Sequence, residues 1–529
     1  MAARILANCK IYTFNPVQPI ATKLLIRDGR IVWLGGAAEH PAGISNEIAV
    51  DDLGGQVVMP SFTDAHIHLL AYGRNLQRVN CESPTRDACL QAVARKAAAA
   101  LPGDWILGHG CDHNLWPDGI GSVTDLDHIT HGHLVYLTHK SLHAAWANSD
   151  ALKRAGISSA TADPQGGRIQ RDSRGEPDGI LLESAMRLVE DILPEPGLAD
   201  DCTALAAAQQ QLWQMGITAA HDFDGWDCLQ ALQAMQQEGQ LGLRVVKGIP
   251  LSSMDEAVRL KLYSGFRDGL LMIGWLKLFA DGALGPQTAA MLSPYEGSDS
   301  VGMLMRDSQD IYEIGSVALA HGISMAAHAI GDRAVRECLN AYAKLGEKYP
   351  LESLPLPHRI EHVQLVNPQD MPRFRPLGVA ASMQPIHAVS DRDMADRYWG
   401  DRCIHAYAWR SLYHAGAKLV FGSDAPVESP NPLLGLHAAL TRRRQGDPLE
   451  QPGRTTGQCL DITQALAAYI RNPHEIAGMY QKTGRLAPGF NADLVVLPSD
   501  PFHINPDSLP SMQPTATMLG GKWVWKRDG

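Results

Sequence analysis

PSFTDAHIHLL (residues 60–70) is the stretch on which the fold turns. It is an apolar run that ends in a His-x-His pair. A strand sends alternate side chains to one face, so His66 and His68 can grip one ion together while Ile67 points into the surrounding layer. Four more side chains able to bind metal end separate apolar runs: Lys277 in IGWLKLFADGALG (273–285), His328 in ISMAAHAIGD (323–332), His362 in HRIEHVQLV (358–366) and Asp424 in KLVFGSDAPVESP (418–430). A set spread from residue 66 to residue 424 converges only in a closed barrel of parallel strands whose C-terminal ends meet around one mouth. The expected fold class is therefore α/β, a (β/α)8 TIM barrel.

The 529 residues exceed a typical barrel of roughly 250, which leaves material for a second domain or large insertions. Residues 1–58 alternate in short strand-like pieces such as ARILANCKIYTF (3–14) and ATKLLIRDGRIVWLGG (21–36), joined by Asp-Gly and Gly-Gly turns. ADLVVLPSD (492–500) and TATMLGGKWVWK (515–526) repeat that style, so 1–58 and 485–529 are expected to build one small composite β-sandwich domain. The expected barrel occupies 59–484, with its strands at 63–68, 217–223, 243–249, 275–281, 323–328, 358–363, 379–384 and 418–424. A segment at about 70–200 is inserted after the first of them, and we expect it over the barrel mouth. It has strand-like runs of its own, WILGHG (105–110) and LVYLTH (134–139), and an Ala-rich helix in ARKAAAALPG (94–103).

Composition narrows the function classes. Apolar residues make up 45% of the chain and charged ones 19%, the balance of a globular protein with a large core. A net charge of −11 leaves no basic stripe for phosphates, which argues against nucleic acid as a partner. The start, MAARILANCKIYTFNP, lacks the basic head and sustained apolar stretch of a leader, and no run of 18 apolar residues occurs, so a cytoplasmic protein without a membrane partner is expected. The nine cysteines include no CxxC pair, which fits reduced thiols rather than a disulfide frame or a Cys-rich zinc site.

Each candidate ligand has a plainer reading. A single His at a strand end is often a hydrogen-bonded core or rim residue. Lys277 could form a salt bridge to Asp281, and Asp424 could cap a helix. Six such residues in order, on the first, fourth, fifth, sixth and eighth strands, favour a metal centre. Burial of Lys277 would lower its pKa and free a neutral amine, which can add carbon dioxide to become a bridging carbamate. His109 and His113 have metal-like spacing but lie outside the barrel strands, as loop or lid residues. Trp105, Trp116, Trp146 and Trp399 could line an apolar pocket or simply pack in a core.

Together these residues resemble the amidohydrolase superfamily of metal-dependent hydrolases. VVMPSFTDAHIHL (57–69) resembles its first-strand signature, FGSDAPV (421–427) its last, and TGRLAPGFNADLVVL (483–497) its C-terminal signature. WLKLFADGALGPQTAAM (275–291), DPQGGRIQRDSRGEPDGILLESA (163–185), SMQPIHAVSD (382–391) and GSDAPVESPNPLLGLHAALTRR (422–443) are similar to the branch of N-substituted formamide deformylase and related uncharacterised hydrolases. The resemblance implies two divalent ions, zinc by preference. His66, His68 and Asp424 would hold the more buried one, carboxylated Lys277 would bridge, and His328 and His362 would hold the second. It also implies that Asp424 is the catalytic base and acid in cleavage of a non-peptide amide C–N bond, that of an N-substituted formamide or N-acyl compound. His143, Glu183, Gln384 and His387 are the candidate substrate contacts, and a small-molecule amide, with a homodimer as the assembly, completes the expected partners. The competing readings are a deaminase of a small heterocycle, which needs one metal and no Lys on the fourth strand, and a noncatalytic scaffold that has lost its metals.

Overall fold

The computed structural model describes residues 3–40, 48–101, 103–111, 116, 119, 121–139, 144–448 and 450–527. They divide into two compact units, one of residues 1–72 and 205–529, the other of residues 73–204.

The first unit holds eight parallel strands in chain order: β1 (Phe62–Ile67), β2 (Ile217–Asp222), β3 (Arg244–Pro250), β4 (Leu271–Phe279), β5 (Met325–Ala329), β6 (Arg359–His362), β7 (Ala380–Met383) and β8 (Lys418–Phe421). Every one falls within a few residues of its expected position, because a strand buried on both faces reads as a short apolar run bounded by polar turns. The nearly closed sheet is a TIM barrel. Beyond the end of β8, Asp424 N–H donates to His66 O at 2.7 Å and His68 N–H donates to Ala425 O at 2.9 Å. The Asp64 carboxylate spans the same seam, accepting from the backbone N–H of His66 at 3.0 Å and of Ser423 at 3.1 Å and from the Ser423 hydroxyl at 2.5 Å. First and last strands are thus joined by one buried side chain as well as by backbone.

Two further sheets accompany the barrel, the first made of strands that precede it in sequence and the second of strands from both sides of it. One runs Arg30–Gly35, Lys23–Arg27, Arg4–Ala7, Ala49–Asp52; the other runs Lys522–Lys526, Ala516–Leu519, Leu494–Leu497, Val57–Pro60, Lys10–Tyr12, Ile20–Ala21. Leu6, Ile11, Leu24, Ile31, Val58, Leu494, Val496 and Met518 form a shared core between them.

The unit of residues 73–204 has its own six-stranded sheet, ordered Gly167–Arg171, Pro177–Glu183, Ala144–Ala147, Leu134–His139, Trp105–Cys111, Val79–Asn80. Trp116 and Trp146 are buried in its core, and Trp399 is buried in the barrel unit, so these three pack rather than line a pocket. No helix among the described residues is long and apolar enough to cross a membrane.

Candidate active site

The C-terminal ends of the barrel strands gather the expected ligands. His66 Nε2 stands 3.3 Å and His68 Nε2 3.5 Å from Asp424 Oδ1. Ring centroids of His66 and His362 are 4.9 Å apart, and those of His362 and His328 are 4.5 Å apart. Donor atoms of His66, His362 and Asp424 all lie within 4.8 Å of one another, so His362 sits between His66 and His328 rather than with His328 alone. Its φ of +73° explains the placement. Glu361 precedes it on β6, and in a regular strand the two would face opposite ways; the left-handed turn at His362 and Val363 brings both to the barrel interior. Asp424 has a φ of +61° and opens no helix, which removes its reading as a cap. Backbone strain of this kind, about 1–3 kcal/mol per residue, persists where surrounding structure enforces it and clusters at functional sites.

Each histidine is oriented by a partner that occupies one ring nitrogen. His66 Nδ1 meets Glu361 Oε2 at 2.6 Å, and its Nε2 is buried without a hydrogen-bond partner. His68 Nδ1 meets Asp224 Oδ1 at 3.1 Å. His362 Nδ1 meets Gln384 Oε1 at 2.9 Å, and His328 Nε2 donates to Gly282 O at 3.0 Å. Such bonds set tautomer and ring angle and raise ligand basicity, the arrangement found around metal-bound histidines. The orphaned Nε2 of His66, facing a carboxylate, is the atom that a cation would satisfy; this donor set fits a divalent ion.

Charge inside the barrel is balanced beneath the ligands. Arg359 is fully buried and donates to both oxygens of Glu361, to His221 Nδ1 at 2.9 Å, Ala65 O at 2.6 Å and Ser382 Oγ at 2.6 Å. Burial pushes the Glu361 carboxyl up, yet Arg359, His66 and Lys277 outweigh it and hold the group well below the usual carboxylate range. Burial likewise raises Asp424, and the neighbouring imidazoles of His66 and His68 then pull it well below its ordinary value. Both carboxylates are therefore ionised at neutral pH.

Lys277 does not pair with Asp281. That carboxylate accepts the backbone N–H groups of Ala290, Ile330 and Gly331 at 2.8–3.0 Å. Lys277 Nζ instead packs 4.8 Å from the Phe223 ring centroid and 5.2 Å from that of Phe279. Burial drives its pKa down to about 8, so a useful fraction of neutral amine exists near neutrality.

Of the expected substrate contacts, Gln384 holds His362 through Oε1 and keeps a buried, unpartnered Nε2. His387 bonds Gln364 through Nδ1 at 3.3 Å, and its ring lies parallel to that of His362 with centroids 6.3 Å apart. Glu183 ends the strand Pro177–Glu183 in the other unit, exposed, and His143 and His113 lie outside the described residues. His109 Nδ1 bonds Thr138 Oγ1 at 2.9 Å in that same unit.

The supporting carboxylates Asp224 and Glu361 escaped the sequence reading. Asp224 also accepts the N–H groups of Leu70 and Ala71 at 2.7 and 3.2 Å, at the start of the helix Leu69–Gln77. Lys247 fixes the neighbouring Asp222 at 2.9 Å, with both side chains fully buried. Replacing Asp224 by Asn removes the charge that orients His68, and metal affinity should fall by about 10- to 100-fold in chelator competition while the fold is kept. An unchanged affinity would leave Asp224 as a helix cap only.

Comparison with known proteins follows the same line. The model of the amidohydrolase family matches residues 49–525. The Bacillus subtilis (strain 168) protein YtcJ is 31% identical over 487 residues, covering 90% of each chain. N-substituted formamide deformylase of Arthrobacter pascens is 25% identical, covering 99% of this chain and 98% of its own. A crystal structure of an uncharacterized metal-dependent hydrolase from Pyrococcus furiosus superposes with a TM-score of 0.76 at 27% identity, covering 95% of this chain and all of that one.

Proposed function

We propose that this chain, which belongs to the amidohydrolase family, is a metal-dependent hydrolase that cleaves a non-peptide amide C–N bond in an N-substituted formamide or another small N-acyl compound. The observation that carries the reading is the Asp424 carboxylate, held ionised between two imidazoles whose far nitrogens are tied down by Glu361 and Asp224.

His66, His68, Lys277, His328, His362 and Asp424 would hold two divalent ions, and zinc suits their imidazole and carboxylate donors. When bound, such ions supply Lewis-acid activation of water and of the amide carbonyl. Asp424 accepts the proton of the attacking water and returns it to the departing nitrogen, so a carboxylic acid and an amine leave. The neutral Lys277 amine adds carbon dioxide: an N–C bond forms, an N–H proton goes to solvent, and the product is a carboxylate on a long arm. Phe223, Leu278 and Phe279 border a cavity of about 230 Å³ that also touches His68 and Lys277, which suits a compact apolar acyl or alkyl group. Arg306, which donates to Phe279 O at 2.7 Å, borders the same cavity. The reading takes a small-molecule amide as partner, a cytoplasmic setting, and neither nucleic acid nor membrane.

Metal analysis of protein purified without added metal, followed by turnover of a panel of formamides, N-acyl amino acids, cyclic ureas and aminopyrimidines, tests it. Two equivalents of metal with matched release of acid and amine are expected. Labelled bicarbonate should give a carbamate signal in carbon-13 NMR that vanishes in Lys277→Arg. Ammonia release from an aminopyrimidine, or protein free of metal and inert on every amide, would overturn the proposal.

A further inference from the structure

In the unit of residues 73–204, three thiols meet. Cys81 follows the strand Val79–Asn80, Cys89 lies on the helix Arg86–Ala99 and Cys111 ends the strand Trp105–Cys111. Their sulfur atoms all lie within 4.8 Å of one another, and the residues are 0–1% exposed. The Cys81 thiol donates to Val79 O at 3.5 Å, within its own turn of chain. Gly108 makes the room: a Cβ at that position would stand 2.8 Å from Cys81 Sγ and 2.6 Å from a Leu137 methyl. Val93, Ile106, Leu126 and Trp146 belong to the same apolar core. The three converge without any CxxC spacing in the sequence.

What such a trio could hold is decided by charge. A net charge in an apolar core costs several kcal/mol unless it is paired. Divalent zinc on three thiolates is left with one negative charge and prefers a fourth ligand, and no His, Asp or Glu among the described residues joins this group. Monovalent copper on three thiolates is left with two. A trivalent thiophilic centre on three thiolates is neutral and satisfied by three bonds.

We propose that Cys81, Cys89 and Cys111 form a three-sulfur site for a trivalent thiophilic oxyacid of the arsenous acid type. In the binding step three As–O bonds break and three As–S bonds form. Each thiol proton leaves with a hydroxyl group as water, so three waters are released, no charge is created and arsenic stays trivalent.

The test uses the full chain, reduced and then freed of reductant. After incubation with arsenite, intact mass should rise by one arsenic less three hydrogens. On acid quench and denaturation, three of the nine thiols should resist alkylation, leaving 9 − 3 = 6 reactive. Cys89→Ser should lose the bound arsenic, and Cys202→Ser, at a partly exposed position, should keep it. Arsenic X-ray absorption on the unsubstituted chain reads the same point without a variant and should find three sulfur neighbours. No mass gain, two or fewer sulfurs, equal binding in Cys89→Ser, or recovery of a disulfide within the trio in place of the adduct would each overturn the proposal.

Discussion

Asp424→Asn is expected to lower kcat by about 10³-fold, the middle of the range for a positioned acid–base group, while most of the bound metal is retained. Asn keeps the shape and one oxygen near His66 and His68, where Asp424 Oδ1 now stands at 3.3 and 3.5 Å, so the imidazoles hold their places. The lost function is proton transfer, because the amide neither takes a proton from water nor delivers one to the leaving nitrogen. Steady-state kinetics beside metal analysis separate the two effects. A variant that turns over at the parental rate removes Asp424 from the chemistry, and one that loses its metal entirely makes it chiefly a ligand.

Glu361→Ala should be the most damaging single change to the fold. Arg359 is 0% exposed and its principal counter-charge is Glu361; removing that carboxylate strands a guanidinium inside the barrel. Breaking a buried ion pair from one side costs about 3–5 kcal/mol, which denaturant unfolding would read directly. His66 loses its Nδ1 partner in the same variant, so metal affinity should drop as well. Pairing the change with Arg359→Met should return much of the stability and none of the affinity. If the double variant is as unstable as the single one, the ion pair is not the source of the loss.

Much of this architecture was legible in the residues because parallel barrel strands advertise themselves twice, by an apolar run and by a polar side chain where the run stops. PSFTDAHIHLL and KLVFGSDAPVESP carry both marks, and they lie side by side at the barrel seam. Glu361 and Asp224 were harder. A buried charge gives no periodic signal, and its partner comes from a distant strand. Alternation was the available clue: Arg359 and Glu361 in HRIEHV, like Asp222 and Asp224 in HDFDG, stand two apart, and Arg359 and Glu361 share a face. The His362 placement was hidden for another reason, since a left-handed residue at a strand end breaks that very alternation. The thiol trio was invisible because residues 81, 89 and 111 meet through parallel strand pairing and the packing of a helix, neither of which leaves a spacing motif.

The terminal sheets impose an order on how the molecule can be made. Val57–Pro60 pairs with Leu494–Leu497, and β1 closes against the segment following β8, so strands made early wait for partners made much later before their edges are covered. Unpaired edges template wrong associations, and contacts of such long sequence separation form slowly. Newly made chains therefore pass through a vulnerable interval that lasts from the making of Val57–Pro60 to that of Leu494–Leu497, and a product stopped short of residue 494 keeps Val57–Pro60 without its antiparallel neighbour for good.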